Sequence, residues 1–243
     1  MKALKKTKRF ILDTLFPIHC LNCGRPDAWL CESCLEQIKP LPFQVCPKCE
    51  NIMTEGGKVC RWCKKDYPLK ALVVATKYQE KNISKLVHLY KYNFIAGLNI
   101  PLGKIIIRSL IKNNIIIPDV IIPVPLHPRR LRWRGFNQSQ LLAEFIAENL
   151  MPGLKIPVAN DLLFRKKYTP PQMTIKNYAE RRKNLSEIFG IENPALIKGK
   201  KILLVDDVAT TGTTLEECAR ILRQNDARVF GAVIARQEFK SDF

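Results

Sequence analysis

Long apolar runs are missing from this chain of 243 residues. Apolar stretches such as Ile115 to Ile117 and Val120 to Val124 are broken by Pro118, Asp119 and Pro123. They fall far short of the roughly 20 apolar residues that a membrane-spanning helix requires. No membrane insertion is expected. A secretion signal is missing as well: residues 2–16 start basic and turn partly apolar, but Asp13 interrupts the run and no small-residue cleavage site follows. The expectation is a cytoplasmic protein. Acidic side chains are scarce, 22 against 40 Lys and Arg, for a formal charge of +18. Such an excess attracts polyanions through long-range fields and counterion release, although solvated lysines alone would also produce it.

Cysteine is almost absent from the larger part of the chain, where Cys218 stands alone at helical spacing from Leu215 and Leu222 and reads as core. The other eight crowd into the first 68 residues as Cys20/Cys23, Cys31/Cys34, Cys46/Cys49 and Cys60/Cys63. That segment has little hydrophobic periodicity and too little apolar material for a core of its own, so something else must hold it together. Two intervening residues let each pair of sulfurs converge on one tetrahedral ion, and two pairs complete a closed, structural Cys₄ site. Two structural Zn²⁺ ions are therefore expected. Sequential pairing has the shorter loops, with Cys20, Cys23, Cys31 and Cys34 on one ion and Cys46, Cys49, Cys60 and Cys63 on the other; a cross-braced arrangement stays open. Disulfides do not suit a chain without a secretion signal.

After Pro68 the pattern changes, and the 47% hydrophobic content supplies a real core. Strands are predicted at 71–76, 119–124, 162–164, 201–205 and 228–235, and helices at 83–90, 102–111, 138–150 and 213–224. Their alternation implies an α/β fold with a parallel sheet covered by helices. The domains read as 1–68, a basic tail and cysteine module, and 69–243, the α/β domain. Ligands of such sheets bind beyond the carboxyl ends of strands, which directs attention to the segments after Val124 and Val205.

The strand at 201–205 runs into two acids, Asp206 and Asp207, then Val208, Ala209, Thr210, Thr211, Gly212, Thr213 and Thr214. An apolar strand ending in acids also occurs in NTPases, but the Gly-x4-Gly-Lys-Ser/Thr loop they need is absent. A receiver domain would begin at this strand, whereas one helix and one strand follow it. Consecutive backbone N–H groups, with Gly212 permitting close approach and a helix starting near Thr213, make a phosphate cradle. The two acids are placed to hydrogen-bond vicinal ribose hydroxyls. Together they describe a ribose 5-phosphate site. The segment after Val124 brings Pro125, Leu126, His127, Arg129, Arg130, Arg132, Trp133, Arg134 and Phe136. Its arginines suit pyrophosphate, and arginines interleaved with aromatics also suit single-stranded nucleic acid. Arg165, Lys166 and Lys167 open a third basic segment, which reads as a hood over the site.

The run at 202–214 resembles the phosphoribosyl pyrophosphate (PRPP) signature of type I phosphoribosyltransferases. With the cysteine pairs, Pro-Val-Pro-Leu-His, Arg-Gly-Phe-Asn-Gln, Thr-Pro-Pro-Gln and Arg-x-x-Asn, the chain from Cys20 onward resembles the ComF family of amidophosphoribosyltransferase-like proteins. The resemblance implies a parallel-sheet type I phosphoribosyltransferase fold with an N-terminal Cys-rich zinc-binding module. It also implies PRPP or nucleotide-phosphate binding, handling of single-stranded DNA in DNA uptake and natural transformation, and protein partners in the DNA-uptake machinery. The alternative is a catalytically active phosphoribosyltransferase of nucleotide or nucleobase metabolism, with Mg²⁺ accompanying PRPP and Asp206 and Asp207 as its catalytic acids. No acceptor pocket is legible in the sequence.

Overall fold

The computed structural model describes residues 18–80, 82–166 and 188–237. The basic tail, Lys167 and the predicted hood motifs Pro170, Pro171, Gln172, Arg181, Arg182 and Asn184 lie outside the described residues. The chain forms two compact units, Met1–Lys39 and Pro40–Phe243. That division falls inside the segment 1–68, so the second cysteine group belongs to the larger unit. The smaller unit folds around Cys20, Cys23, Cys31 and Cys34, with a single-turn helix α1 (Glu32–Glu36) burying Cys34 and Leu35.

In the larger unit a hairpin of β1 (Gln44–Val45) and β2 (Met53–Thr54) precedes β3 (Leu69–Lys77), α2 (Ile83–Tyr92), α3 (Asn99–Lys112) and β4 (Val120–Pro123). Then come α4 (Pro128–Arg134), α5 (Gln138–Asn149), β5 (Leu163–Arg165) and β6 (Phe189–Ile191). The chain closes with β7 (Lys201–Val205), β8 (Val208–Ala209), α6 (Thr213–Gln224) and β9 (Arg228–Arg236). The central sheet has the order β3-β9-β7-β4, with β8 against β9, and every pairing is parallel. Parallel strands are buried on both faces, which is why β4 and β7 read as continuous Val, Ile and Leu. On α3, Leu102, Ile105, Ile106 and Leu110 keep helical spacing and are buried. A Cβ at Gly103 would lie 2.3 Å from the Phe145 ring, so the missing side chain lets α3 and α5 pack closely.

Both edges of the sheet are covered, which removes the unpaired backbone that invites aggregation. On β4, the Ile121 N–H donates to the Pro157 carbonyl at 2.9 Å, and the Ala159 N–H donates to the Ile121 carbonyl at 3.0 Å. On β3 the cover comes from the second cysteine segment. Buried Gln44 acts as an extra peptide unit: its Nε2 donates to the Val74 carbonyl and its Oε1 accepts the Val74 N–H, both at 3.0 Å. The Val59 N–H adds a bond to the Lys70 carbonyl at 3.0 Å.

Two elements depart from the sequence reading. The strand predicted at 162–164 leaves the central sheet and pairs antiparallel with β6, a short partner that three residues of weak alternation did not announce. The arginine segment is helical from Pro128, because His127 caps α4 by accepting the Arg129 N–H on Nδ1 at 3.1 Å and Pro128 supplies a preset first position.

Candidate functional site

Parallel pairing sets Pro123 of β4 opposite Val205 of β7, so the segments leaving both strands emerge side by side at the carboxyl edge of the sheet. One begins with the acids. Asp207 is buried; its Oδ1 accepts the Val208 N–H at 2.6 Å and pairs with Lys91 Nζ at 2.9 Å. Asp206 Oδ1 accepts from the Ser139 hydroxyl at 2.8 Å and from the Asp207 N–H at 2.9 Å. Lys91 comes from α2 and Ser139 from the first turn of α5. Reciprocal bonds lock those helices together: Tyr90 Oη donates to the Gln138 carbonyl at 2.8 Å, and Gln138 Nε2 donates to the Tyr90 carbonyl at 3.3 Å. Burial and the adjacent Asp207 charge push the Asp206 carboxyl up to about 7, against the opposing pull of Lys91 and Ser139. Burial pulls the Lys91 ammonium down, but Asp207 and Asp206 outweigh it and hold it above its ordinary value.

Beyond the acids, Gly212 takes φ +75° and opens α6, a conformation that a side chain would strain. Thr210, Gly212 and Thr214 border a hollow of about 20 Å³ together with Asp206, Val208 and Ala209. Thr211 and Thr213 turn to each other instead, their hydroxyls 2.7 Å apart and Thr213 buried. The helix start contributes backbone N–H groups and the positive end of its dipole, the ordinary setting for a phosphate.

A larger cavity of about 200 Å³ joins this loop to the arginine segment. Asp206, Asp207, Val208, Thr210 and Thr214 line one side, Pro125, Leu126, Arg130 and Arg134 another, and Arg165 of β5 approaches from the antiparallel ribbon. His127, Arg129, Arg132, Trp133, Phe136 and Lys166 are not among its lining residues. Burial and the charges of Arg165, Arg130, Arg132 and Arg129 hold His127 below its ordinary value, which suits the neutral ring that accepts on Nδ1. Phe136 packs on buried Tyr90 with ring centroids 5.7 Å apart. Trp133 is 60% exposed and meets Phe94 edge-on at 5.1 Å. The Arg134 guanidinium lies 5.5 Å from the Tyr92 ring and bonds Gln138 Oε1 at 3.0 Å; its Nε is buried with no hydrogen-bond partner among the described residues. Sequence reasoning missed Lys91, Ser139, Tyr78, His88 and Tyr92, all of which line the cavity. Ser139 directly follows the Arg-Gly-Phe-Asn-Gln motif and could have been flagged; α2 carries no motif at all.

The eight paired cysteines gather in sequence order: Cys20, Cys23, Cys31 and Cys34 form one group, Cys46, Cys49, Cys60 and Cys63 the other. Within each group the sulfurs lie within 4.8 Å of one another, compatible with the roughly 3.8 Å spacing that Zn–S bonds of about 2.3 Å impose on a tetrahedron. In both, a backbone N–H from the second pair reaches the first sulfur: Cys31 N to Cys20 Sγ and Cys60 N to Cys46 Sγ, each 3.4 Å. Burial raises these thiols, but N–H donors more than offset it and lower Cys20 to about 6 and Cys46 to about 7. The donor sets fit two closed structural zinc sites, in which the metal would supply folding energy. Among the described residues, no helix is long and apolar enough to cross a membrane.

The carboxyl-edge acids, the glycine loop and the paired tetrads define a phosphoribosyltransferase-fold protein with a double zinc ribbon. The chain matches the phosphoribosyl transferase domain over residues 139–238 and the double zinc ribbon domain over residues 11–64. It is 31% identical over 216 residues to Competence protein F of Haemophilus influenzae, covering 85% of this chain and 90% of the relative. Against DNA utilization protein YhgH of Escherichia coli O157:H7 it is 31% identical over 217 residues, covering 86% and 92%. Competence protein ComFC of Bacillus subtilis is 29% identical over 213 residues, covering 82% and 79%. The chain belongs to the ComF family.

Proposed function

We propose that this protein binds PRPP or a related nucleotide phosphate in the cavity at the carboxyl edge of its sheet, engages single-stranded DNA, and acts in DNA uptake in the cytoplasm. One observation carries the reading: an acid pair, a glycine loop at a helix start and three arginines, Arg130, Arg134 and Arg165, border a single cavity. Asp206 and Asp207 would receive the ribose hydroxyls, Thr210 to Thr214 the 5-phosphate, and the arginines the pyrophosphate. The names Competence protein F and DNA utilization protein, borne by relatives matched over most of their length, support the DNA role. So do the +18 charge and the exposed Trp133 beside Phe94, which form a stacking surface next to Arg132 and Arg134.

A second reading, a catalytic transferase, is favoured by Tyr78, His88 and Tyr92, which give the cavity an aromatic flank where an acceptor base could stack. Mg²⁺ would accompany PRPP in that case, and the protein would act by positioning and charge stabilisation. The test is thermal stability with PRPP. Wild-type protein should melt higher with PRPP, and Asp206→Asn/Asp207→Asn should not; an equal shift in both removes the site. Affinity for single-stranded DNA should fall steeply with salt, and a flat response removes the DNA role. Pyrophosphate release with a panel of nucleobases separates the catalytic reading from the binding one.

A further inference from the structure

Arg236 ends β9, and its guanidinium faces two regions of the larger unit at once. Toward the second cysteine group, Nη1 donates to the Pro47 carbonyl at 3.2 Å and Nη2 donates to Glu50 Oε1. Pro47 lies between Cys46 and Cys49, and Glu50 follows directly. The Glu50 N–H closes that turn on the Cys46 carbonyl at 2.9 Å, with Glu50 held at φ +59°. Toward the phosphate loop, Nη2 lies 3.6 Å from where a Gly212 Cβ would stand. The Arg236 backbone pairs with Ala209, and the Gln237 N–H donates to the Ala209 carbonyl at 2.9 Å. The Arg236 side chain is only 12% exposed, so it cannot exchange these partners for water without leaving its place.

We infer that Arg236 is a positioning residue through which closure of the second cysteine group on its metal is linked to phosphate binding at the Gly212 loop. This rests on the phosphate-site reading above. When the sulfurs of Cys46, Cys49, Cys60 and Cys63 are held, the Pro47–Glu50 turn presents its carbonyl and carboxylate in fixed places. The guanidinium is then pinned beneath Gly212, and the loop keeps the positive-φ conformation that aims its N–H groups. When the turn is released, a buried cation loses both acceptors and the loop loses its floor. Linkage is reciprocal: whatever factor metal closure adds to phosphate affinity, phosphate adds to metal retention. The first cysteine group lies in the other compact unit, whereas Pro47 and Glu50 both belong to the second, which provides an internal control.

The experiment uses the full zinc-loaded chain. Zinc release to a colorimetric chelator is timed with and without PRPP or inorganic pyrophosphate, and cysteine alkylation mapped by mass spectrometry tells which group opens. The expected result is that ligand slows opening of Cys46, Cys49, Cys60 and Cys63 by at least about five-fold and leaves Cys20, Cys23, Cys31 and Cys34 unchanged. Arg236→Lys and Glu50→Gln, which keep size and part of the bonding, should abolish this protection while still binding pyrophosphate more weakly. Two results overturn the linkage alone: pyrophosphate binds but both groups open at unchanged rates, or the variants keep full protection. Failure of wild-type protein to bind either ligand overturns the linkage together with the phosphate-site reading.

Discussion

The two cysteine groups share one internal design and differ in what surrounds them. Each closes its first pair with an N–H returned to the leading cysteine carbonyl, from Gly24 to Cys20 at 2.8 Å and from Glu50 to Cys46 at 2.9 Å. Each sets the closing residue at positive φ, +74° for Gly24 and +59° for Glu50. Around Gly24 there is open space, and the residue is the one that adopts this conformation without strain. Glu50 carries a side chain through the same conformation, and that side chain is held by Arg236. The second segment also supplies the edge pairing of β3 through Gln44, Val59 and Leu41. Identical local chemistry thus serves one group as a self-contained knuckle and the other as a structural wall of the sheet.

Breaking the metal ligands should expose that difference most strongly. Cys46→Ser with Cys60→Ser should lower the melting temperature of the larger unit by roughly 6–12 °C, the shift that a loss of about 3 kcal/mol produces at this size. The matching pair Cys20→Ser with Cys31→Ser should leave that transition in place, and equal losses would dissolve the distinction. Glycine substitutions come next. A Cβ at Gly57 would stand 2.0 Å from the Leu72 carbonyl oxygen, so Gly57→Ala forces the second segment off β3 and should cost about 3 kcal/mol in urea unfolding. Gly24→Ala meets nothing within 4 Å and should cost only the left-handed backbone penalty, about 1 kcal/mol. A smaller effect is expected from Gln44→Ala, which strips the Val74 backbone of both partners for about 1–2 kcal/mol. Hydrogen exchange should show the Val74 amide losing protection while Ile121, on the far edge, keeps its own.

Most of the frame was legible because each piece announced itself locally. The predicted helix at 213–224 matches α6, and strands such as β7 are apolar runs that parallel packing requires. Cysteine spacing implied two metal groups, although only the folded chain shows that the second of them belongs to the compact unit that holds the sheet. The acids and Gly212 were legible as a motif. Lys91 and Ser139 were not, because they reach Asp207 and Asp206 only after Tyr90 and Gln138 dock α2 on α5, a contact between residues 48 apart in sequence. Phe136 shows the converse: its motif suggests base stacking, and only the folded chain shows its ring against Tyr90 while Trp133 stands exposed.

Protons should act on Asp206 and on the cysteine groups with opposite sign. Thiolate ligands are lost as pH falls, so both tetrads weaken in acid. Asp206 works the other way. Its carboxyl is pushed from an ordinary 3.8 to about 7, so between those values the folded chain keeps a proton that the unfolded chain has released. Lowering the pH through that window therefore favours the fold at this residue. The cysteine groups cancel when wild type is compared with Asp206→Asn, which keeps an oxygen for the Ser139 hydroxyl and the Asp207 N–H but removes the buried charge. At pH 8 the variant should melt higher than wild type by roughly 2–4 °C, about 1 kcal/mol for a chain of this size. The gain should shrink as pH falls through that window and vanish near 3.8, where the unfolded chain takes up the proton as well; a difference unchanged across the window would mean that burial does not raise the Asp206 carboxyl, and a loss in place of a gain would mean that Lys91 outweighs burial.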